Sequence, residues 1–316
     1  MKYTRIIEAV TSTPWAILPA KLAVIRDLIA FRAAGGKLTA DEIQARLEVE
    51  PIGAASGSKR AGTNGVAIIP ITGTIMPRAN LMSEYSGGTS VQSLTKQLRA
   101  ALNDPEVGSI LLDIDSPGGQ VSNVPELAAE ILASRGDKPI VAVANTLAAS
   151  AAYWLAASAD EIVVSPSAEV GSIGVLAMHQ DVSQALEREG VVVNFIHAGK
   201  YKVEGNPYQP LDDEARGAIQ ARVDDYYDMF INAVAKGRGV KASDVRGGFG
   251  EGRVVGAKEA VRLGMADRVA TLDETIARLQ NGRRRSSKTG ASLETRQRRL
   301  RLASMGQPVG TTVQEE

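Results

Sequence analysis

Runs of apolar residues trade places with segments of helical periodicity along most of this chain, and that alternation limits its possible folds more than any other feature. Val66 to Ile71 reads as a buried strand, and Thr89-x-x-Gln92 matches a capping box opening a helix to about Asn103. Ser109 to Ile114 is a second strand, Pro125 to Ser134 a helix, Ile140 to Ala144 a third strand, and a further helix starts near Ser150. Short strands are expected at Ile162 to Val164, Ile173 to Ala177 and Val191 to Ile196. Leu211 to about Lys236 then reads as a long amphipathic helix, with shorter helices near Ala242 and Gly256. Strands linked by helices in this order predict an α/β layered fold built from crossover units. Apolar residues make up 44% of the chain but aromatics only 4%, so the core is packed from Ala, Val, Ile and Leu.

The flanks differ from this body. Residues 1–50 predict a small helical N-terminal module: apolar residues recur at helical spacing from Ala16 to Ala33, and Thr39-Ala-Asp-Glu42 announces a second helix after Gly35-Gly36. Residues 51–64, rich in Gly, Ser and Ala, read as a linker, and residues 65–280 as the main domain. Residues 281–316 form a basic tail, expected to be disordered when free, in which, between Arg283 and Arg301, the basic residues Arg283, Arg284, Arg285, Lys288, Arg296, Arg298, Arg299 and Arg301 face one acid, Glu294. That tail is either a solvated solubility segment or a docking segment for an acidic partner or nucleic acid.

Over the whole chain 36 basic residues balance 36 acidic ones, which gives no reason to expect nucleic acid or an acidic membrane as the main partner. The absence of cysteine excludes disulfides, thiolate catalysis and Cys-based metal sites. Lys21, Arg26 and Asp27 interrupt the apolar N-terminal run, so neither a signal-peptide core nor a membrane anchor is expected, and the cytoplasm is the default compartment.

Three segments could carry chemistry. Asp115-Ser-Pro-Gly-Gly119 follows a strand, where paired glycines can turn the backbone and aim N–H groups into a cleft; a plain tight turn explains it equally. Ser150 lies at the start of a helix after Asn145-Thr-Leu-Ala-Ala, where the dipole favours an oxyanion, or where a serine merely caps the helix. Gly199-Lys-Tyr-Lys202 leaves a strand, and a lysine there could act as a base only if burial or a nearby positive charge lowered its pKa from about 10.4.

Taken in order, Gly87-Gly-Thr-Ser90, Asp115-Ser-Pro-Gly-Gly119, Ala148-Ala-Ser-Ala-Ala-Tyr153, Gly171-Ser-Ile-Gly-Val175, Gly199-Lys-Tyr-Lys202 and Lys236-Gly-Arg-Gly239 resemble the signal peptide peptidase A family of serine peptidases, over roughly Val66 to Asp273. The resemblance implies a Clp-protease/crotonase-type fold of repeated β-β-α and β-α units. It implies Ser150 as nucleophile, Lys202 as general base and Ser172 as the residue orienting the lysine. It also implies an oxyanion hole from the N–H groups of Gly119 and Ala151, with Gly118 shaping the turn; where the family often has glycine after the nucleophile, this chain has Ala151 and Ala152. No cofactor or metal is implied. A protein or peptide substrate is, together with a homo-oligomer in which nucleophile and lysine can come from adjacent subunits.

His179 and His197 are the only histidines, and a Ser150–His179 pair is the minor alternative to the lysine mechanism. The missing anchor and the Trp15-Ala-Ile-Leu-Pro19 opening resemble phage and prophage head-maturation proteases of the minor capsid protein C-like group. That resemblance implies cleavage of scaffold, portal-associated or capsid proteins in the host cytoplasm or the procapsid. A cytosolic bacterial peptidase of the same family, a crotonase-like acyl-CoA enzyme and a silent capsid-assembly protein are the alternatives.

Overall fold

The computed structural model describes residues 13–33, 65–78 and 88–281. The second N-terminal helix expected near Thr39, the linker and the basic tail lie outside these residues, as does Gly87 of the first family motif.

Strand β7 (Ile140–Ala149) organises the larger sheet. On one edge it pairs in parallel with β5 (Ser109–Ser116), which in turn pairs in parallel with β2 (Val66–Thr72). On the other edge the first half of β7 takes β8 (Glu161–Val164) and its second half takes β9 (Glu169–Gly171), both parallel. β10 (Val254–Gly256) closes one side antiparallel to β9, and β11 (Arg268–Val269) continues from β8. A strand serving two neighbours on one edge must change direction. The β5–β7 ladder does this in an irregularity, passing from Ile114 opposite Ala144 to Ser116 opposite Ala148.

A second, four-stranded sheet has the order β1 (Trp15–Ile17), β6 (Gly118–Gln120), β3 (Ile75–Met76) and β4 (Thr89–Ser90). Trp15–Ile17 is therefore a strand in a sheet of the main body, not part of a helical module standing apart from it. Helix α1 (Pro19–Ala33) follows directly and packs Leu22 and Ile25 against Trp15 and Ile17.

Helices α2 (Val91–Asn103), α3 (Val124–Ala133) and α4 (Ala151–Ala157) link successive strands, as a crossover fold requires. Every residue of α4 is buried, and its small side chains let neighbouring backbone come close. Trp154 on α4 stacks on Phe230 of the long helix α6 (Asp213–Arg238), with ring centroids 4.4 Å apart and planes 7° from parallel. Short helices α5 (Ser183–Arg188), α7 (Ala242–Gly248) and α8 (Ala257–Arg262) and a last helix at 272–281 complete the described chain.

Three local expectations are corrected. Helix α2 is capped by Ser90, whose hydroxyl accepts from Ser93 N–H at 3.0 Å; the Thr89 hydroxyl cannot cap because it already bridges the backbone of Thr72. The strand expected over Ile173 to Ala177 is Glu169–Gly171 instead, leaving only an isolated bridge at Leu176. Val191 to Ile196 pairs with no described strand, and its apolar side chains face solvent, Val192 at 77% and Ile196 at 103% exposure. Its β propensity is genuine, but propensity becomes a strand only against a neighbour, and the described residues supply none there.

Candidate active site

Two serines that begin helices show why Ser150 is not a cap. Ser90 has the extended backbone of an N-cap, φ −95° and ψ 132°, and its side chain accepts a helix N–H. Ser150 has φ 55° and ψ −119° and makes no capping bond. A non-glycine residue in that region costs about 1–3 kcal/mol and persists only where its surroundings enforce it. Here the enforcement comes from both sides: Ser150 N–H donates to Gly171 O at 2.7 Å, and Ser150 O accepts from Trp154 N–H at 2.9 Å as α4 begins. A sharp, strained strand-to-helix turn lifts a side chain clear of both elements. The Ser150 hydroxyl is left with one weak contact among the described residues, the Gly174 carbonyl at 3.4 Å.

The Pro117-Gly-Gly119 segment is not a free turn. It carries the chain from β5 into β6, with Gly118 at φ 97°, and Ser116 fixes the step by donating its hydroxyl to Gly73 O at 2.6 Å and accepting from Gly118 N–H at 3.2 Å. Gly118 and Ser150 touch: a Cβ on Gly118 would lie 3.0 Å from Ser150 Cβ. The N–H of Ala151, at the first position of α4, is outside the helix's own hydrogen-bond ladder. Ser172, φ 53°, follows Gly171 directly and is held by its N–H on Arg253 O at 2.7 Å. Gly118 and Ser150 thus meet where β6 and β7 come together, Ser150 is tied to Gly171 of β9, and Gly119, Ala151 and Ser172 are the next residues along the chain.

Lys202 does not join them. It lies exposed in the turns at 198–205, beyond the unpaired Val191–Ile196 segment, and its ammonium has no hydrogen bond or ion pair with any described residue. The other lysine of the motif is committed: Lys200 Nζ reaches Glu214 at 2.7 Å and the Tyr201 hydroxyl at 2.9 Å, and those bonds raise its pKa against an opposing cost of desolvation. Within Gly-Lys-Tyr-Lys, only Lys202 is left available. His179 Nε2 bonds the Asn206 carbonyl at 3.0 Å and His197 Nδ1 the Gly199 carbonyl at 3.2 Å, so neither ring is joined to Ser150.

The sequence motifs did not disclose that β1 packs on the backbone of Gly118, the residue that touches Ser150. The carbonyl oxygen of Ala16, in β1, would lie 2.2 Å from a Cβ on Gly118, the same atom that would meet Ser150. Trp15-Ala-Ile17 alternates as a strand does, but a three-residue run gives no sign of its partner. No group of His, Cys, Asp and Glu among the described residues could hold a metal ion, and no described helix is long and apolar enough to cross a membrane.

Comparison with known proteins agrees with this geometry. Residues 133–285, which include Ser150, Ser172 and Lys202, match the family model for peptidase family S49. The chain is 36% identical to the capsid assembly protease C of Escherichia phage lambda over 77% of its own length and 55% of that protein. It is 33% identical to the head-tail preconnector protein GP5 of Enterobacteria phage P21 over 82% of its length and 50% of that protein. It therefore spans about half the length of these two curated relatives. A putative signal peptide peptidase SppA of Enterococcus faecium is 30% identical over 63% of the chain and 58% of that protein. The motif order, the strained serine between β7 and α4 and these matches agree in making residues 133–285 a segment similar to peptidase family S49.

Proposed function

We propose that the chain is a serine endopeptidase in which Ser150 is the nucleophile and Lys202, reaching in from a second copy, is the general base. The observation that carries this is the backbone of Ser150: a strained, non-capping serine at a strand-to-helix turn, beside the glycine-rich edge of β6. Neutral Lys202 takes the Ser150 hydroxyl proton as Oγ adds to the peptide carbonyl. The N–H groups of Gly119 and Ala151 receive the resulting oxyanion, with Gly118 holding the turn. Collapse of the adduct expels the amine, which leaves with the proton from Lys202, and water then releases the acyl group from Ser150 by the same steps. Ser172, next to the Gly171 carbonyl that anchors Ser150, orients the lysine ammonium.

A shared site accounts for two features of the single copy. Lys202 is exposed and its ammonium bonds no described residue, and the segment leading to it, Val191 to Ile196, is apolar, exposed and unpaired with any described strand. Docked on another copy, that arm would gain its strand partner, and its lysine the burial that lowers an ammonium pKa.

The relatives named as a capsid assembly protease and a head-tail preconnector support a role in phage head assembly, with scaffold, portal-associated or capsid proteins as substrates and the host cytoplasm or procapsid as the place of action. The test is incubation of wild-type protein, Ser150→Ala and Lys202→Ala with a serine-reactive fluorophosphonate and with casein or scaffold protein. Labelling at Ser150 in wild type, with cleavage lost in both variants, is expected. A wild-type oligomer that neither labels nor cleaves would sink the proposal and favour an assembly protein without catalysis. Activity kept in Lys202→Ala but lost in His179→Ala would move the base to His179.

A further inference from the structure

β1 lies in a slot between two backbone edges. Against β6 it runs antiparallel, with Ile17 opposite Gly118, Ala16 opposite Gly119 and Trp15 opposite Gln120. Leu18 N–H donates to Pro117 O at 3.0 Å and Val121 N–H donates to Pro14 O at 3.4 Å. Hydrogen-bonded pairs alternate along an antiparallel ladder, so these two bonds make Ala16 and Gly119 the hydrogen-bonded pair between them, with Gly119 N–H donating to Ala16 O. On its other edge Trp15 and Leu176 exchange both backbone bonds, at 2.8 and 2.9 Å.

Addition of an extended strand to exposed backbone edges is a general way of binding peptides in which alternate side chains are read by pockets. β1 has that pattern. Trp15 and Ile17 turn to one face and pack with Leu22, Ile25, Leu176 and Met178, while the small Ala16 turns to the other and joins the core cluster around Ile75 and Ala151. The three residues are at most 2% exposed, and beneath them Ser150 is 1% exposed.

We propose that β1 occupies the peptide-binding groove of its own chain, with the Ala16 carbonyl on the Gly119 amide where a substrate carbonyl would rest, so that Ser150 is reached only after β1 leaves. This rests on the reading of Ser150 as nucleophile. What it adds is a closed state in which the occupant is a segment of the same chain. Since no described lysine bonds Ser150 in one copy, the strand can lie on the nucleophile without being cut there.

The test uses full-length chains and two readouts, one of which needs no chemistry. In a Ser150→Ala background, binding of a fluorescent peptide with the sequence of residues 11–22 is followed by polarisation, with β1 intact or loosened by Trp15→Ala and Ile17→Ala. The loosened chain is expected to bind the peptide at least about tenfold more tightly, because an occupied groove lowers apparent affinity by the fraction of time it is open. With Ser150 present, the same loosening is expected to speed fluorophosphonate labelling by a similar factor. Ser150-dependent cleavage after Ala16 would also support the placement. Equal peptide binding by both chains, no binding by the loosened chain, or slower labelling on loosening would overturn it and make β1 a fixed wall of the site. If the double variant does not stay folded, Ile17→Ala alone is read in the same two ways. Peptide binding that follows the expected order in chains that never label would remove Ser150 as nucleophile and leave the occupied groove standing.

Discussion

Gly118 and Ser150 are packed so closely that only a hydrogen fits between them: a Cβ at position 118 would stand 3.0 Å from Ser150 Cβ and 2.2 Å from the Ala16 carbonyl oxygen. The φ of 97° at Gly118 adds a conformational cost for any L side chain. Gly118→Ala is therefore expected to destabilise the protein by about 2 kcal/mol or more, since alanine at positive φ already costs over ~1 kcal/mol before the collision is counted. Urea unfolding should show the lower midpoint. An unchanged midpoint would mean that the β6 edge and the turn at Ser150 are not in contact.

Gly237 makes a sharper case, because two effects oppose each other there. It sits inside helix α6, where alanine is normally favoured over glycine by about 1 kcal/mol. A Cβ at this position would, however, lie 1.9 Å from the Ala157 carbonyl oxygen at the end of α4. Arg135 binds the same corner, donating to Ala157 O at 3.1 Å, Ser158 O at 3.0 Å and Gly237 O at 3.0 Å. Backbone pinned in this way cannot move aside, so Gly237→Ala is expected to lower the unfolding midpoint despite its better propensity. A gain in stability would show that the α4–α6 contact is loose.

The main sheet and most of its helices were legible because their signal is local: β5, β7, α3 and α6 follow directly from apolar runs and helical periodicity. The chemistry-bearing motifs were legible as a series, yet no one of them distinguished a capping serine from a strained one; that difference lies in the φ of Ser150, which Gly171 and Trp154 enforce from elsewhere in the fold. Where the sequence misled, a long-range partner decided. Thr72 claims the Thr89 hydroxyl and moves the α2 cap to Ser90, β6 claims Trp15–Ile17, and Val191–Ile196 finds no strand partner among the described residues.

Arg238 and Asp267 give the fold a pH dependence at low pH. Arg238 donates to both Asp267 oxygens, at 2.9 and 2.7 Å, and to Gly264 O at 2.9 Å, while Asp267 also accepts from Ile162 N–H at 2.7 Å. Burial pushes the Asp267 carboxyl up, but the Arg238 bonds and the Ile162 amide outweigh it and hold its pKa below the usual carboxylate range. A carboxyl depressed on folding adds stability at pH values above its unfolded pKa of about 3.9, and that contribution disappears as pH falls through the lower folded value. Asp267→Asn is thus expected to cost about 1–2 kcal/mol at pH 7, the side chain being partly exposed, and progressively less below about pH 4. Urea titrations of both proteins at pH 7, 5 and 3 check this; a difference that grows on acidification would reverse the sign and refute the argument.

The two lysines of Gly199-Lys-Tyr-Lys202 should separate structure from catalysis. Lys200 and Glu214 form an exposed, solvent-screened pair, so Lys200→Ala should leave peptidase activity within a few fold of wild type. The Lys202 ammonium bonds no described residue, and Lys202→Ala should leave stability unchanged while abolishing cleavage. If the lysine acts on the serine of a neighbouring copy, two inactive variants can repair each other. In a ring assembled at random from equal amounts of Ser150→Ala and Lys202→Ala chains, a site is whole when a copy with its serine meets a neighbour with its lysine, which occurs at about one quarter of positions. Mixing the variants under conditions that allow subunit exchange should therefore restore about a quarter of wild-type activity. No recovery in an exchanging oligomer would place serine and lysine in the same chain and require the arm at 191–202 to fold back onto its own site.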